Sequence, residues 1–295
     1  MSSDKLRFAL FGNIYQAKKS ASIQKILSCL YEHDAEIYIE KTFYEFLTTQ
    51  QHIDVKATGV FEENGFDTDF VISMGGDGTL LRAARYVGEK NIPIIGINIG
   101  RLGFLAGVLP TEIESTLNDI FLGKYDTETH SVIQVEADGM PLGDYPFALN
   151  DIAILKRDNA SMISIRTCIN DEYLVTYQAD GLIISTPTGS TAYSLSNGGP
   201  IIAPLTGTLC LTPVAPHSLN IRPIVIPDNA TISLTVESRS HNFLIATDGM
   251  SEKCTEGTCL KIRKAPYNIY IIKRSGQRYF ATLREKMMWG ADKRE

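Results

Sequence analysis

A glycine-rich turn around a single acid, Gly75-Gly76-Asp77-Gly78-Thr79, is the segment of this chain best suited to chemistry. The apolar run at residues 70–74 is too short for a helix and is typical of a buried parallel strand. Leu80, Ala84 and Val87 then recur at helical spacing. The sequence therefore predicts a strand, a tight turn and a helix, with the acid in the turn.

Such a turn is suited to phosphate. Glycines permit positive φ and a close approach of the backbone to a ligand, and the N–H groups at a helix N-terminus attract anions. Thr79 is predicted to cap the helix. Asp77 would repel a phosphate unless it holds a cation, caps the helix or takes a proton from an acceptor hydroxyl. Alternatively, Asp77 only stabilises the turn, since aspartate is common in turns and near helix N-termini.

A second glycine- and hydroxyl-rich segment runs from Asp180 to Ser196. Residues 186–196 carry six hydroxyl groups besides that of Tyr193. This predicts a ligand loop in which the Tyr193 ring stacks on a base; a Ser/Thr-rich hairpin is the alternative. Upstream, Asn150-Asp151 interrupts an apolar run, where polar side chains buried without partners would be costly. A ribose diol would satisfy these two side chains, and a strand-end turn is the alternative.

The elements that must position these residues divide the chain in two. The first part alternates strand and helix signals, which predicts a parallel sheet with helices on both faces. The predicted strands are residues 6–11, 36–39, 70–74 and 92–97, and the predicted helices are residues 20–33 and 111–122, the second ended by Gly123. Residues 163–169 and 231–236 then alternate with period two, so the second part is β-rich. Residues 279–289 regain helical character.

Composition narrows the class of protein. The length of 295 residues predicts two domains, and the 44% hydrophobic content supplies a core. A net charge of −6 with dispersed basic residues argues against a nucleic-acid partner. No apolar stretch approaches membrane-spanning length and no signal peptide is evident, so we expect a cytoplasmic protein without a membrane partner. Five scattered cysteines suit reduced thiols, and no metal site is predicted because Cys254 and Cys259 lack a second ligand pair.

Two familiar phosphate fingerprints are absent. The segment at residues 12–20 has Ala17 where a P-loop requires glycine. Gly96, Gly100 and Gly103 do not have the spacing of a dinucleotide-binding fold. Any nucleotide is therefore bound by another geometry.

In combination and in order, the motifs resemble the NAD kinase family. They are Gly75-Gly76-Asp77-Gly78-Thr79, Gly100-Arg101-Leu102-Gly103-Phe104-Leu105, Asn150-Asp151, the run from Asp180-Gly181 through Ser196, Ser218-Leu219-Asn220-Ile221-Arg222-Pro223 and Asp248-Gly249. The match covers nearly the whole chain. The first motif is shared with lipid kinases, but the run at residues 186–196 is characteristic of NAD kinases.

The resemblance implies an NAD kinase/diacylglycerol kinase-like fold. An N-terminal α/β domain with a parallel sheet would span residues 1–125 and a β-rich NAD-binding domain residues 126–275, with residues 276–295 returning to the first domain. The implied reaction is ATP-dependent phosphorylation of the 2′-hydroxyl of the adenosine ribose of NAD, giving NADP. ATP would be the donor, with Mg²⁺ or another divalent cation, and the protein would be a homodimer or homotetramer. A lipid kinase and a non-catalytic NAD(P)-binding sensor are the alternatives.

The resemblance also implies roles for individual residues. Asp77 matches the proton acceptor and Gly78 its neighbour in the site, and Arg82 lies where a phosphate could reach it. The implied dinucleotide-binding residues are Phe104 on the adenine side, the pair Asn150 and Asp151, Asp180 across a subunit interface, and Thr191, Ala192, Tyr193, Ser194, Leu195 and Ser196 around the adenosine. Asp151 stands where many members have glutamate, and Met250 where many have glutamine.

Overall fold

The computed structural model describes residues 5–14, 20–99, 103–139, 142–143, 145–157, 162–273, 279–288 and 290. The chain divides into two compact units, one of residues 1–129 with 269–295 and one of residues 130–268. The helices are α1 (Ser20–Glu32), α2 (Lys41–Glu45), α3 (Asp77–Val87), α4 (Ile113–Phe121), α5 (Tyr193–Ser196) and α6 (Tyr279–Met287). The strands are β1 (Arg7–Gly12), β2 (Glu36–Glu40), β3 (Gly59–Phe61), β4 (Phe70–Gly75), β5 (Ile94–Asn98), β6 (Asp126–Ala137), β7 (Phe147–Ala148), β8 (Asp151–Lys156), β9 (Ile163–Ile169), β10 (Glu172–Ala179), β11 (Gly181–Ser185), β12 (Thr208–Val214), β13 (Ile224–Pro227), β14 (Ile232–Glu237), β15 (Asn242–Thr247), β16 (Met250–Thr255) and β17 (Cys259–Lys273).

The first unit is built on a parallel sheet with the strand order β3-β2-β1-β4-β5. Ile271, near the end of β17, pairs in parallel with Ile94 of β5. Every residue of β4 is buried, as expected for a strand covered on both faces. The predicted stripe of α3 is also buried, with Leu80, Ala84 and Val87 at most 4% exposed. The predicted α/β class of this part of the chain is confirmed.

Two predictions about the turn before α3 are wrong. The helix begins at Asp77 with Gly76 as its N-cap, and Thr79 is a buried residue of the first turn that caps nothing. None of the three glycines has positive φ. Gly75 instead permits close packing, because a Cβ there would lie 2.1 Å from Oγ1 of Thr79. Gly76 and Gly78 have no described heavy atom within 4 Å of a Cβ position, so their surface is open to a ligand.

The second unit is a sandwich of antiparallel strands. One layer has the order β10-β9-β14-β17 and the other the order β13-β12-β11-β8-β15-β16. Alternate residues of the two layers meet in a single core, for example Ile154 and Leu182 from one layer with Ile165 and Leu234 from the other. The predicted β-rich class of this part of the chain is confirmed.

Candidate active site

In the first unit, Asp77 lies at the carboxyl edge of the parallel sheet, where open α/β sheets bind ligands. Its carboxylate accepts three backbone N–H groups: Phe104 donates to Oδ2 at 2.9 Å, and Leu105 and Ala106 donate to Oδ1 at 3.1 and 3.0 Å. Gly103 permits this arrangement, since a Cβ there would lie 2.0 Å from Oδ1. Asp77 is thus held by a segment distant in sequence and caps no helix of its own.

Arg82, one turn further along α3, reaches the same edge of the sheet. Its Nη2 donates to the carbonyl oxygen of Gly12 at 2.7 Å, at the end of β1. The same nitrogen lies 4.0 Å from Oε2 of Glu40, at the end of β2. Arg82 is therefore oriented by the ends of two neighbouring strands, with about a third of its side chain exposed.

Sequence reasoning missed Lys286 of α6, in the same unit. Its Nζ lies 3.7 Å from Oδ2 of Asp77 and 4.2 Å from the centroid of the Phe104 ring. The basic residue near the end of a predicted helix was visible in the sequence, but nothing there connects it to Asp77. Residues 100–102 of the Gly100–Leu105 motif and residues 15–19 of the P-loop-like segment lie outside the described part of the chain.

In the second unit, Asn150 and Asp151 are fixed by Asp248, which sequence reasoning placed in a motif but gave no role. The Asp248 carboxylate accepts the N–H groups of Leu149 and Asn150 at 2.8 Å each and of Asp151 at 3.1 Å. Asp248 and Gly249 both have positive φ, which is the two-residue turn typical of an Asp-Gly hairpin. The hairpin between β15 and β16 thereby shapes the start of β8.

Asp151 is an acid in an apolar setting. It is 6% exposed, and among the described residues no side chain donates a hydrogen bond to its carboxyl group. Burial, together with the negative charge of Asp248, raises the pKa of Asp151 to about 7. The group is therefore partly protonated near neutral pH.

The hydroxyl-rich loop is tied down mostly by its own hydroxyl groups. Thr186 donates to the carbonyl oxygen of Leu149 at 2.6 Å, Ser190 donates to that of Pro187 at 2.7 Å, and the Ser194 hydroxyl lies 2.9 Å from that of Thr212. These side chains are fully buried. The hydroxyls that predicted ligand contacts therefore largely brace the loop.

Other side chains of this loop are not used in these internal hydrogen bonds and are at least partly exposed. Tyr193 is 40% exposed and Ser196 is exposed, while Thr191, Ala192 and Leu195 are half-buried. Asp180, between β10 and β11, forms an ion pair with Lys156 at 2.8 Å and is about one-third exposed. The second unit thus brings together the Asn150-Asp151 pair and the loop, because Thr186 N–H also donates to the carbonyl oxygen of Asn150 at 2.9 Å.

An acid in a glycine turn at a sheet edge, with an arginine one helical turn away, is an arrangement expected of a phosphotransferase. Comparison with known proteins defines the class. The model of the ATP-NAD kinase N-terminal domain matches residues 8–125, and that of the ATP-NAD kinase C-terminal domain matches residues 149–274. The chain belongs to the ATP-NAD kinase family.

Individual relatives agree. The NAD kinase of Bacteroides fragilis is 59% identical over 289 residues, which cover 98% of this chain and 100% of that protein. The NAD kinase of Porphyromonas gingivalis is 42% identical over 286 residues, covering 97% and 98%. This chain is accordingly an enzyme that phosphorylates NAD. The alternatives of a lipid kinase and a non-catalytic sensor receive no support from these relatives.

Solved structures agree with the fold. An NAD kinase from Archaeoglobus fulgidus in complex with ATP is similar with a TM-score of 0.75 and 26% identity, covering 96% of this chain and 99% of that one. Yeast NADH kinase complexed with NADH has a TM-score of 0.90 at 20% identity, covering 99% and 90%, and supports the fold alone.

Proposed function

We propose that Asp77 is the general base of the reaction that makes NADP from NAD and ATP. Asp77 takes the proton of the adenosine-ribose 2′-hydroxyl while that oxygen bonds to the γ-phosphorus of ATP and the bond to ADP breaks. The observation that carries this role is the fixed carboxylate beside the open surface of Gly76 and Gly78. Incubating the protein with NAD, ATP and magnesium and assaying NADP tests the reaction, and omitting each component in turn tests its requirement.

The other first-unit residues would serve the phosphates. Gly78 offers backbone without a side chain, and Arg82 offers a partly exposed guanidinium suited to phosphate oxygens. Phe104 would contact the adenine. Mg²⁺ or another divalent cation would arrive on the polyphosphate of the donor, because Mg²⁺ commonly binds through substrate phosphates and one or two carboxylates. The described residues contain no cluster of three or more acidic, histidine or cysteine side chains able to hold a metal.

The second unit would bind the dinucleotide through Asn150, Asp151, Asp180 and the loop at residues 191–196. Tyr193 supports this role best, because an aromatic ring that is 40% exposed in this loop is available for stacking.

Replacing Tyr193 with alanine should therefore weaken NAD binding by roughly 1–3 kcal/mol, the scale of base stacking on aromatic side chains. The Tyr193→Phe variant is the matched control and should bind nearly as well as the wild type, because it keeps the ring. Isothermal calorimetry measures both affinities. Unchanged NAD affinity in the alanine variant would remove Tyr193 from the site.

We further propose that the enzyme is a cytoplasmic homo-oligomer, a dimer or a tetramer. Among the described strands β10 pairs only with β9, so it presents an edge that a second copy could cover. The five cysteines are free thiols, which suits a reducing compartment. No helix in the described part of the chain is long and apolar enough to cross a membrane.

Subunit complementation tests whether Asp180 serves a neighbouring site. Asp77→Asn and Asp180→Ala chains, each inactive alone, should regain part of the activity when mixed under conditions of exchange, because some sites then contain both acids. The control mixes Asp77→Asn with the Asp77→Asn/Asp180→Ala double variant, in which no site can be complete. Demonstrated exchange without regained activity would place Asp180 in its own subunit's site, and light scattering from an active monomer would refute the proposal.

A further inference from the structure

Lys286 lies against Asp77 without a hydrogen bond to it. The distance of 3.7 Å from Nζ to Oδ2 exceeds the roughly 2.7–3.2 Å of such a bond, so the attraction is electrostatic. The ammonium also lies over the Phe104 ring, 4.2 Å from its centroid, where a cation–π contact holds it. Within the described part of the chain Lys286 has no hydrogen-bond acceptor, so its three N–H donors are uncommitted.

The ammonium is not needed to satisfy Asp77. That carboxylate already accepts three backbone N–H groups. Nor is Lys286 an ordinary surface charge, because its side chain is only 28% exposed and is positioned by an aromatic ring. A cation held beside a fixed acid, with its donors unused, is suited to a third, anionic group.

We propose that Lys286 is a second catalytic residue, which binds the transferred phosphoryl group through its ammonium while Asp77 takes the proton. This inference rests on the role proposed for Asp77. A base must lie about 2.6–3.2 Å from the oxygen whose proton it takes. Because Lys286 lies near one oxygen of the Asp77 carboxylate, the phosphoryl oxygens that gather around the acceptor come within reach of its ammonium.

The chemistry favours this assignment. As the acceptor oxygen bonds to the γ-phosphorus and the bond to ADP breaks, charge is spread over the three equatorial oxygens of the transferred group. A lysine ammonium is a compact point charge that binds phosphate oxygens well. Fixed before the reaction, it stabilises that charge without reorganisation. After transfer the same contact holds the new 2′-phosphate until release.

The test compares Lys286→Ala with Arg284→Ala, a matched control on the same helix. Arg284 is exposed and has no partner within the described residues. Lys286→Ala should lower kcat by on the order of 100-fold, the usual scale for one electrostatic contact made in the transition state. NAD affinity by calorimetry should stay within error of the wild type, and Arg284→Ala should leave kcat unchanged.

A purely structural role is separated by rescue. Added methylammonium should restore part of the kcat of Lys286→Ala, and Lys286→Arg should retain more activity than Lys286→Ala. A kcat of Lys286→Ala near the wild-type value would contradict the proposal. A loss of kcat that neither methylammonium nor arginine restores would contradict it as well. An increase in kcat or in NAD affinity would instead make Lys286 an inhibitory occupant of the site. If Asp77→Asn has a normal kcat, the role proposed for Asp77 is wrong. If Asp77→Asn loses activity but Lys286→Ala has a normal kcat, Asp77 keeps its role and only the inference about Lys286 is wrong.

Discussion

Replacing Asp77 with asparagine is expected to lower kcat by on the order of 100- to 10,000-fold, the usual contribution of a positioned base. Asparagine has nearly the same shape, and its side-chain oxygen can still accept the N–H groups of Leu105 and Ala106, while only the bond from Phe104 is lost. It cannot take up the proton of the hydroxyl. Steady-state kinetics measures the loss, while circular dichroism and NAD calorimetry should show an intact fold and nearly unchanged binding.

A second variant reaches the same carboxylate without altering it. Gly103→Ala would place a Cβ 2.0 Å from Oδ1 of Asp77, so the carboxylate must move or the segment must shift. We expect a kcat loss comparable to that of Asp77→Asn. Near-normal turnover in Asp77→Asn would contradict the assignment of the base; a large loss there with a fully active Gly103→Ala would show that the position of the carboxylate is less critical than its charge.

The sequence predicted the strand, the turn around Asp77 and the following helix because these elements are contiguous. The sequence could not predict the hydrogen bonds of the Asp77 carboxylate, because the three N–H donors lie 27 to 29 residues further along the chain. The error at Thr79 has a local origin. Thr79 is a strong capping residue by type, but its side chain is buried against Gly75, and the helix begins two residues earlier.

Hydrophobic periodicity predicted the class of each half but not every element. Residues 113, 117, 120 and 121 have the spacing of one helical stripe; the first three are buried as expected and Phe121 is half-buried. The helix α4 ends at Phe121, close to the predicted end. The helix α2 and the π-helical turn Phe46–Gln50 were not predicted, although Glu40 caps α2 by accepting the N–H groups of Thr42 and Phe43. Their short, mixed sequence has no clear period, so tertiary packing around Phe43 and Leu47 decides the structure.

The second half shows how a turn motif can conceal a structural role. Asp248-Gly249 is readily interpreted as a hairpin signal, and the hairpin is present. The same carboxylate also orders the backbone from Leu149 to Asp151, roughly a hundred residues away in sequence. No local pattern predicts such a contact, and it places the negative charge of Asp248 close enough to Asp151 to disfavour its ionisation.

The buried acid itself leads to the other large effect, on stability. Asp151 has its pKa raised from 3.8 to about 7, chiefly by burial. Between these values the folded state binds more protons than the unfolded state, so the free energy of unfolding falls as pH rises and levels off above about pH 7. The two pKa values differ by about three pH units, so at about 1.36 kcal/mol per unit the free energy of unfolding falls by about 4 kcal/mol in all.

Asp151→Asn removes the titration while keeping the shape of the side chain. Its stability should match the wild type near pH 4 and exceed it by up to about 4 kcal/mol at pH 8, because only the wild type must then bury a charge. Urea denaturation at several pH values, without NAD, measures the difference. Asp171→Asn, an exposed acid in the same unit, is the control and should show no such trend. If the stability difference between Asp151→Asn and the wild type does not grow with pH, the buried carboxyl group is stabilised as an anion. The conclusion that Asp151 is partly protonated near neutral pH would then be wrong.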